Sequence, residues 1–186
     1  HLWYLKNNSN SLKNTLYISD VYHEMTDIYR PEVVMPMDMP GWSNSLGWRS
    51  DLSLNYTRHH LTISPELYTY RQKAEMTMYP KDEDEALMFM LTWPDVRTIH
   101  TGIYAEDKLS LNEKESLTFT TRLAFQHERI ADEFGLNSLQ IFYPEMSDSQ
   151  NRFLMNLSAQ YQLTNKRSVW TFRGGYGERA PSVSEA

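Results

Sequence analysis

From Glu115 to Glu128 the chain alternates. Leu117, Phe119, Thr121, Leu123 and Phe125 fall on one side, and Ser116, Thr118, Thr120, Arg122, Ala124 and Gln126 on the other. The pattern returns with Phe153, Met155, Leu157, Ala159 and Tyr161 against Asn156, Ser158, Gln160 and Gln162. Earlier, Trp48, Leu52, Leu54 and Tyr56 oppose Arg49, Asp51, Ser53 and Asn55. Side chains alternate faces along a strand, so each segment has one apolar and one polar side. Each is about 10 residues or slightly longer, the length of a tilted strand crossing a bilayer.

The same reading predicts eight strands, near Leu2–Leu5, Thr15–Asp27, Leu46–Tyr56, Leu61–Tyr70, Arg97–Leu109, Ser116–His127, Phe153–Leu163 and Ser168–Tyr176. The Thr15–Asp27 segment puts Leu16, Ile18, Asp20, Tyr22 and Glu24 on one face, so its outer half is expected to leave the membrane. Pro65 removes a ladder donor from the fourth strand and calls for a bulge. Short links near Thr57–His60, Asn112–Glu115 and Thr164–Arg167 alternate with long ones at Tyr29–Asn44, Tyr79–Asp95 and Ile130–Gln150. Outer-membrane barrels alternate tight periplasmic turns with long outer loops, whereas compact soluble domains rarely carry several long structureless loops. The expected fold is therefore all-β, an antiparallel transmembrane β-barrel seen in part. The rival is a soluble secreted β-sandwich binding module, whose apolar residues would pack between two sheets.

Composition sharpens this only in places. Mean hydropathy is −0.61, and no run approaches the roughly 18 apolar residues of a membrane helix. Barrel strands average out as polar, so a barrel stays open. Aromatics make up 13% of the 186 residues. Several stand at strand ends, among them Tyr22, Trp48, Tyr56, Tyr70, Tyr104, Tyr161 and Trp170, where barrels place rings at the interfaces. There is no cysteine, which excludes disulfides and thiolate sites. The net charge of −6 and the run Lys81-Asp82-Glu83-Asp84-Glu85 argue against nucleic acid. No nucleophile elbow, zinc-protease motif or phosphate loop occurs, so the expectation is a non-enzyme. No signal peptide is visible. The chain reads as a piece of a longer protein, with residues 1–186 forming part of one barrel domain.

The stretch Trp170-Thr171-Phe172-Arg173-Gly174-Gly175-Tyr176-Gly177-Glu178-Arg179-Ala180-Pro181-Ser182 resembles the strand and loop of TonB-dependent outer-membrane receptors, which often read Y-G-x-R-A-P-S there. Glu178 stands where an aromatic is common. Gly102-Ile103-Tyr104-Ala105-Glu106-Asp107-Lys108-Leu109 is similar to another recurrent receptor segment. The resemblance implies about eight strands of a 22-stranded barrel, with the plug domain and C-terminal strands outside this chain. It also implies an outer-membrane location in a Gram-negative bacterium, contact with outer-membrane lipid, and coupling to the TonB complex through the plug. The function implied is uptake of a scarce nutrient, a metal ion or small molecule.

A narrower resemblance lies at Val21-Tyr22-His23-Glu24-Met25-Thr26-Asp27, followed by Met35-Pro36-Met37-Asp38-Met39-Pro40. It is similar to the copper receptors of this family, where a His-x-Met pair on the barrel wall binds copper and the plug supplies a Cys and a further Met. The resemblance assigns His23 and Met25 as metal ligands, with copper ion as the transported ligand. Their spacing puts both on one face of a strand and Glu24 on the other. Imidazole plus thioether suits copper, above all Cu(I), and suits calcium or magnesium badly. Met35, Met37 and Met39 are expected to line one side of an extended run as accessory capture sites. Nine of the ten methionines fall in the predicted outer half, in loops or strand ends, leaving only Met155 within a membrane strand. His100 and His127, near outer strand ends, are candidate further ligands, and His59 and His60 a solvated turn. Siderophore, heme and oligosaccharide import remain alternatives, the last supported by Trp42, Trp48 and Trp93.

Overall fold

The computed structural model describes residues 2–7, 10–82 and 84–181. Glu83 of the charge run and the end of the receptor-like motif from Ser182 lie outside them. The strands are β1 (Leu2–Asn7), β2 (Asn10–Thr26), β3 (Met37–Asn55), β4 (His59–Met78), β5 (Met88–Ser110), β6 (Glu115–Ile130), β7 (Ser149–Asn165) and β8 (Ser168–Gly177). Among the described residues one helix, α1 (Glu133–Gln140), lies between β6 and β7. All eight strands form one sheet in chain order, each antiparallel to the next. The all-β expectation and the predicted strands hold, and the apolar residues are not sandwiched between two sheets.

The sheet is apolar outside and polar inside. Ile99, Ile103, Leu123, Phe125 and Phe153 are exposed, while their chain neighbours Thr98, His100, Ala124 and Gln126 are buried. Register puts Thr101, Phe125 and Phe153 in one cross-strand row on the exposed face. Water would penalise such an uncovered apolar face, whereas hydrocarbon does not.

Three features differ from the expectation. First, β3, β4 and β5 run well past the predicted strand ends, so the long links shrink to residues 27–36 and 79–87. In Arg71–Met78 the alternation changes sense beyond the apolar belt, with Arg71, Lys73 and Glu75 on the outer face and Ala74, Met76 and Met78 on the inner one, and backbone pairing continues through it. Second, the third long link holds α1. Asp132 caps it, accepting from the Gly135 N–H at 3.0 Å, and Gly135 sits so near β5 that a Cβ would lie 2.2 Å from Pro94 Cβ. Third, Pro65 produces no bulge. Arg49 pairs with Glu66 and Leu52 with Ile63 in unbroken register, and the Ser64 hydroxyl donates to Asp51 at 2.7 Å across the gap. The bulge lies higher, where register slips between Gln72 and Glu75 on β4 against β5. There Asp95 adopts φ 49°, the left-handed region that Asp tolerates better than most residues.

Candidate functional site

Ladder register brings the outer parts of β2 to β5 together on the polar face. His23 pairs with Gly41 and Met25 with Met39, and Gly41 pairs with Ala74. His23 and Met25 therefore share a face, and Glu24, paired with Pro40, lies on the other. Only small residues flank His23 across the next two strands. A Cβ built on Gly41 would stand in ordinary contact with Ala74 Cβ, at 3.6 Å. Among the described residues the His23 ring has no hydrogen-bond or ion-pair partner, and Met25 is 52% exposed.

Methionines continue the wall. Met37 pairs with Met78, and Met78 with Met88. Met76 pairs with Met90, and the unchanged β3–β4 register puts Met76 level with Met39. Two cross-strand rows result, Met25–Met39–Met76–Met90 and Met37–Met78–Met88, on the face that carries His23. The sequence placed Met37 and Met39 on one side of an extended run, and β3 does so. Met35 falls outside that strand, in the link before it. The methionine-rich region is thus a strand surface rather than a loop. Period-2 spacing at 37/39, 76/78 and 88/90 was the signal for it.

The other histidines do not join this place. His100 is 3% exposed in mid-wall, stacked on Tyr68 with ring centroids 4.3 Å apart. Its Nε2 lies 3.3 Å from Glu66 Oε1 and its Nδ1 3.4 Å from Gln126 Oε1. Its partner Tyr68 stands six residues along β4 from Ala74, about 20 Å at strand rise. His127 lies on the apolar face, with its Nδ1 2.8 Å from Asn151. His59, by the short turn, faces Asp107 at 2.8 Å. Around His100 the polar face forms a continuous network. Arg122 donates to Glu66, Gln126 donates to Glu128 at 2.9 Å, and Arg152 donates to Glu128. Among the described residues no three His, Cys, Asp or Glu side chains converge as a metal site.

Cavities accompany the wall. One of about 370 Å³ lies between the α1 link and the outer ends of β5 to β7, lined by Pro94, Val96, Ile130, Leu139, Tyr143 and Arg152 among others. A shallow groove of about 530 Å³ crosses the apolar face, where Ala105, Ala159 and Gly174 leave room between Phe119 and Leu157.

No protein-family model matches the sequence, and no curated protein sequence matches it. Among solved structures the chain is similar to one named copper transporter OprC. The TM-score is 0.75 at 15% identity, over 96% of this chain and 28% of that one. The fold is therefore that of a β-barrel wall segment. The chain spans about 28% of the length of that transporter. In such a wall the uncovered apolar face meets lipid and the polar face lines the lumen. His23, Met25 and the methionine rows are then lumenal, near the end with the long links.

Proposed function

We propose that this chain is part of the barrel wall of an outer-membrane transporter that imports a scarce nutrient, with copper as the cargo. The reading includes a plug domain and TonB-driven uptake, both contributed from outside these residues. What carries the copper assignment is the shared face of His23, Met25 and two rows of methionine. Thioether and neutral imidazole bind Cu(I) well and hard cations poorly. A wall of weak sulfur ligands lets an ion enter and leave from site to site, and His23 with Met25 offers a firmer stop. The likeness to a copper transporter supports the same cargo.

Metal analysis of the full-length protein purified from copper-supplemented cells tests this. Bound copper, together with a growth defect of the deletion strain under copper limitation, is the expected result. Protein free of copper and an unaffected deletion strain would refute it.

One observation favours a second reading, import of an organic chelate such as a siderophore. The 370 Å³ cavity combines apolar residues such as Pro94, Val96, Ile130 and Leu139 with Arg129 and the Arg152–Glu128 pair, a mixture suited to a small organic chelate. Uptake of an iron chelate rather than copper by the same strain pair would favour it.

A further inference from the structure

The lipid-facing side of β4, β5 and β6 carries a row of three arginines. Arg71 pairs with Arg97, and Arg97 pairs with Arg129. All three stand outside the apolar belt, separated from the row of Trp48, Leu67, Phe125 and Phe153 by a mixed row of Leu46, Thr69, Ile99 and His127. Like charges directly opposite on neighbouring strands repel, so the row needs anions. The protein supplies part of the need. Asp95 accepts from Arg71 and, at 3.2 Å, from Arg97, while Asp148 approaches Arg129 only to 3.9 Å. The three side chains stay 50%, 57% and 64% exposed. Arg97 gives Asp95 a single Nη2 donor, leaving the rest of its guanidinium to solvent or a ligand.

Beside Arg71 lies a cleft of about 320 Å³ lined by Trp42, Asn44, Arg71, Lys73 and Glu75. Trp42 packs against Tyr22, with centroids 5.6 Å apart, and Lys73 Nζ lies 5.8 Å from the Trp42 ring centroid. Lys73 also pairs with Glu75 at 2.6 Å, and Asn44 donates to Asp20 at 2.6 Å. An aromatic face, an amide and cations in one cleft suit a sugar that bears phosphate.

We infer that this surface binds the phosphorylated sugar headgroup of an outer-leaflet glycolipid. The arginine row holds the phosphates, the Trp42 cleft holds the sugar, and the acyl chains lie on the apolar belt below. Arginine suits phosphate because its planar fork donates two parallel hydrogen bonds. The inference rests on the barrel reading and is independent of the cargo.

Native mass spectrometry of the full-length protein in detergent tests it, with lipid A, dephosphorylated lipid A and phosphatidylglycerol as probes. The wild type should retain lipid A at least about tenfold more tightly than the Arg71→Gln/Arg97→Gln/Arg129→Gln variant, given roughly fivefold per basic residue at a membrane surface. Arg173→Gln, on the lumenal face, should bind as the wild type does, and dephosphorylated lipid A should be lost. Folding of the triple variant is checked by heat-modifiable migration on gels. Equal retention of lipid A by wild type and triple variant, or of phosphatidylglycerol and lipid A by the wild type, overturns the inference. A failure of the barrel reading would show earlier, as a protein soluble without detergent.

Discussion

Met25 stands directly opposite Met39 in the β2–β3 ladder, one row outward from His23 and Gly41. The row continues to Met76 and Met90, so four sulfur side chains cross four strands at one level. Redundancy follows. Replacing Met39, Met76 or Met90 singly with Leu should change Cu(I) uptake by less than about threefold, because Leu keeps the volume and neighbouring sulfurs remain. Replacing Met35, Met37 and Met39 together should give a moderate loss, on the order of tenfold, a step of about 1.4 kcal/mol. Uptake assays with radioactive copper in cells carrying each variant make the comparison.

Gly135 fixes α1 to the wall. A side chain there would run into Pro94, and Leu91 Cδ1 lies 3.2 Å from the same point. Gly135→Leu should detach the α1 link, at a cost of about 1–3 kcal/mol as for other overpacked contacts. Limited proteolysis should then cut within residues 131–148 at protease levels that leave the wild type whole. Strands β6 and β7 should stay protected.

Asp95 ties the bulge to two arginines outside the membrane. Burial disfavours its charge, but hydrogen bonds and attraction from Arg71 and Arg97 outweigh burial and hold its carboxyl below the usual range. A carboxylate depressed in the folded state stabilises above its unfolded pKa, near 4, and that contribution is lost as pH falls through the folded value. Protection from hydrogen exchange in residues 88–97, measured against the intrinsic amide rate at each pH, should therefore fall below about pH 4 in the wild type. Asp95→Asn should exchange faster at neutral pH, by a factor matching about 1–2 kcal/mol, and lose that acid dependence. Asn tolerates the left-handed backbone, so this substitution removes charge without adding strain.

The two faces of β6 differ in what they tolerate. Leu123 pairs with Ile103 and Met155 in mid-belt, and Leu123→Arg should cost about 2–4 kcal/mol. Thr120→Arg, on the lumenal face, should be close to neutral. Urea unfolding in lipid vesicles measures both.

How much of this was legible in the sequence depended on the solvent each residue meets. Within the bilayer, hydrocarbon on one side and water on the other force a strict alternation, so β6, β7 and the inner parts of β3 and β4 could be read directly. Outside it both faces meet water, and from Arg71 to Met78 the apolar residues switch to the inner face, so the segment did not read as a continuation of the membrane strand although pairing continues. In the sequence, residues 130–150 read as a link and α1 was missed, a short helix with Gly135 near its start that is held by its Asp132 cap and by packing on β5. The bulge at Asp95 depends on a long-range pairing offset that no local motif announces. For the site, His23 and Met25 were readable because period-2 spacing fixes their shared face. The Met76 and Met90 extension was not, since it needs the register of three further pairings. His100 was misjudged for the same reason. Its place in mid-wall, against Tyr68 and Glu66, is set by partners 32 and 34 positions away along the chain.

The central claim is that His23 and Met25 form the cargo stop on the lumenal wall. Competition titration of the full-length protein with a Cu(I) chelator tests it most directly. Removing an outer-shell partner of a metal ligand lowers affinity about 10–100-fold, so loss of a ligand itself should do more. His23→Ala and Met25→Ala should each weaken Cu(I) binding by more than about 100-fold, while Glu24→Ala, on the opposite face, should stay within about threefold of the wild type. Wild-type Cu(I) affinity in His23→Ala would contradict the account and leave His23 as an ordinary residue of an outer strand.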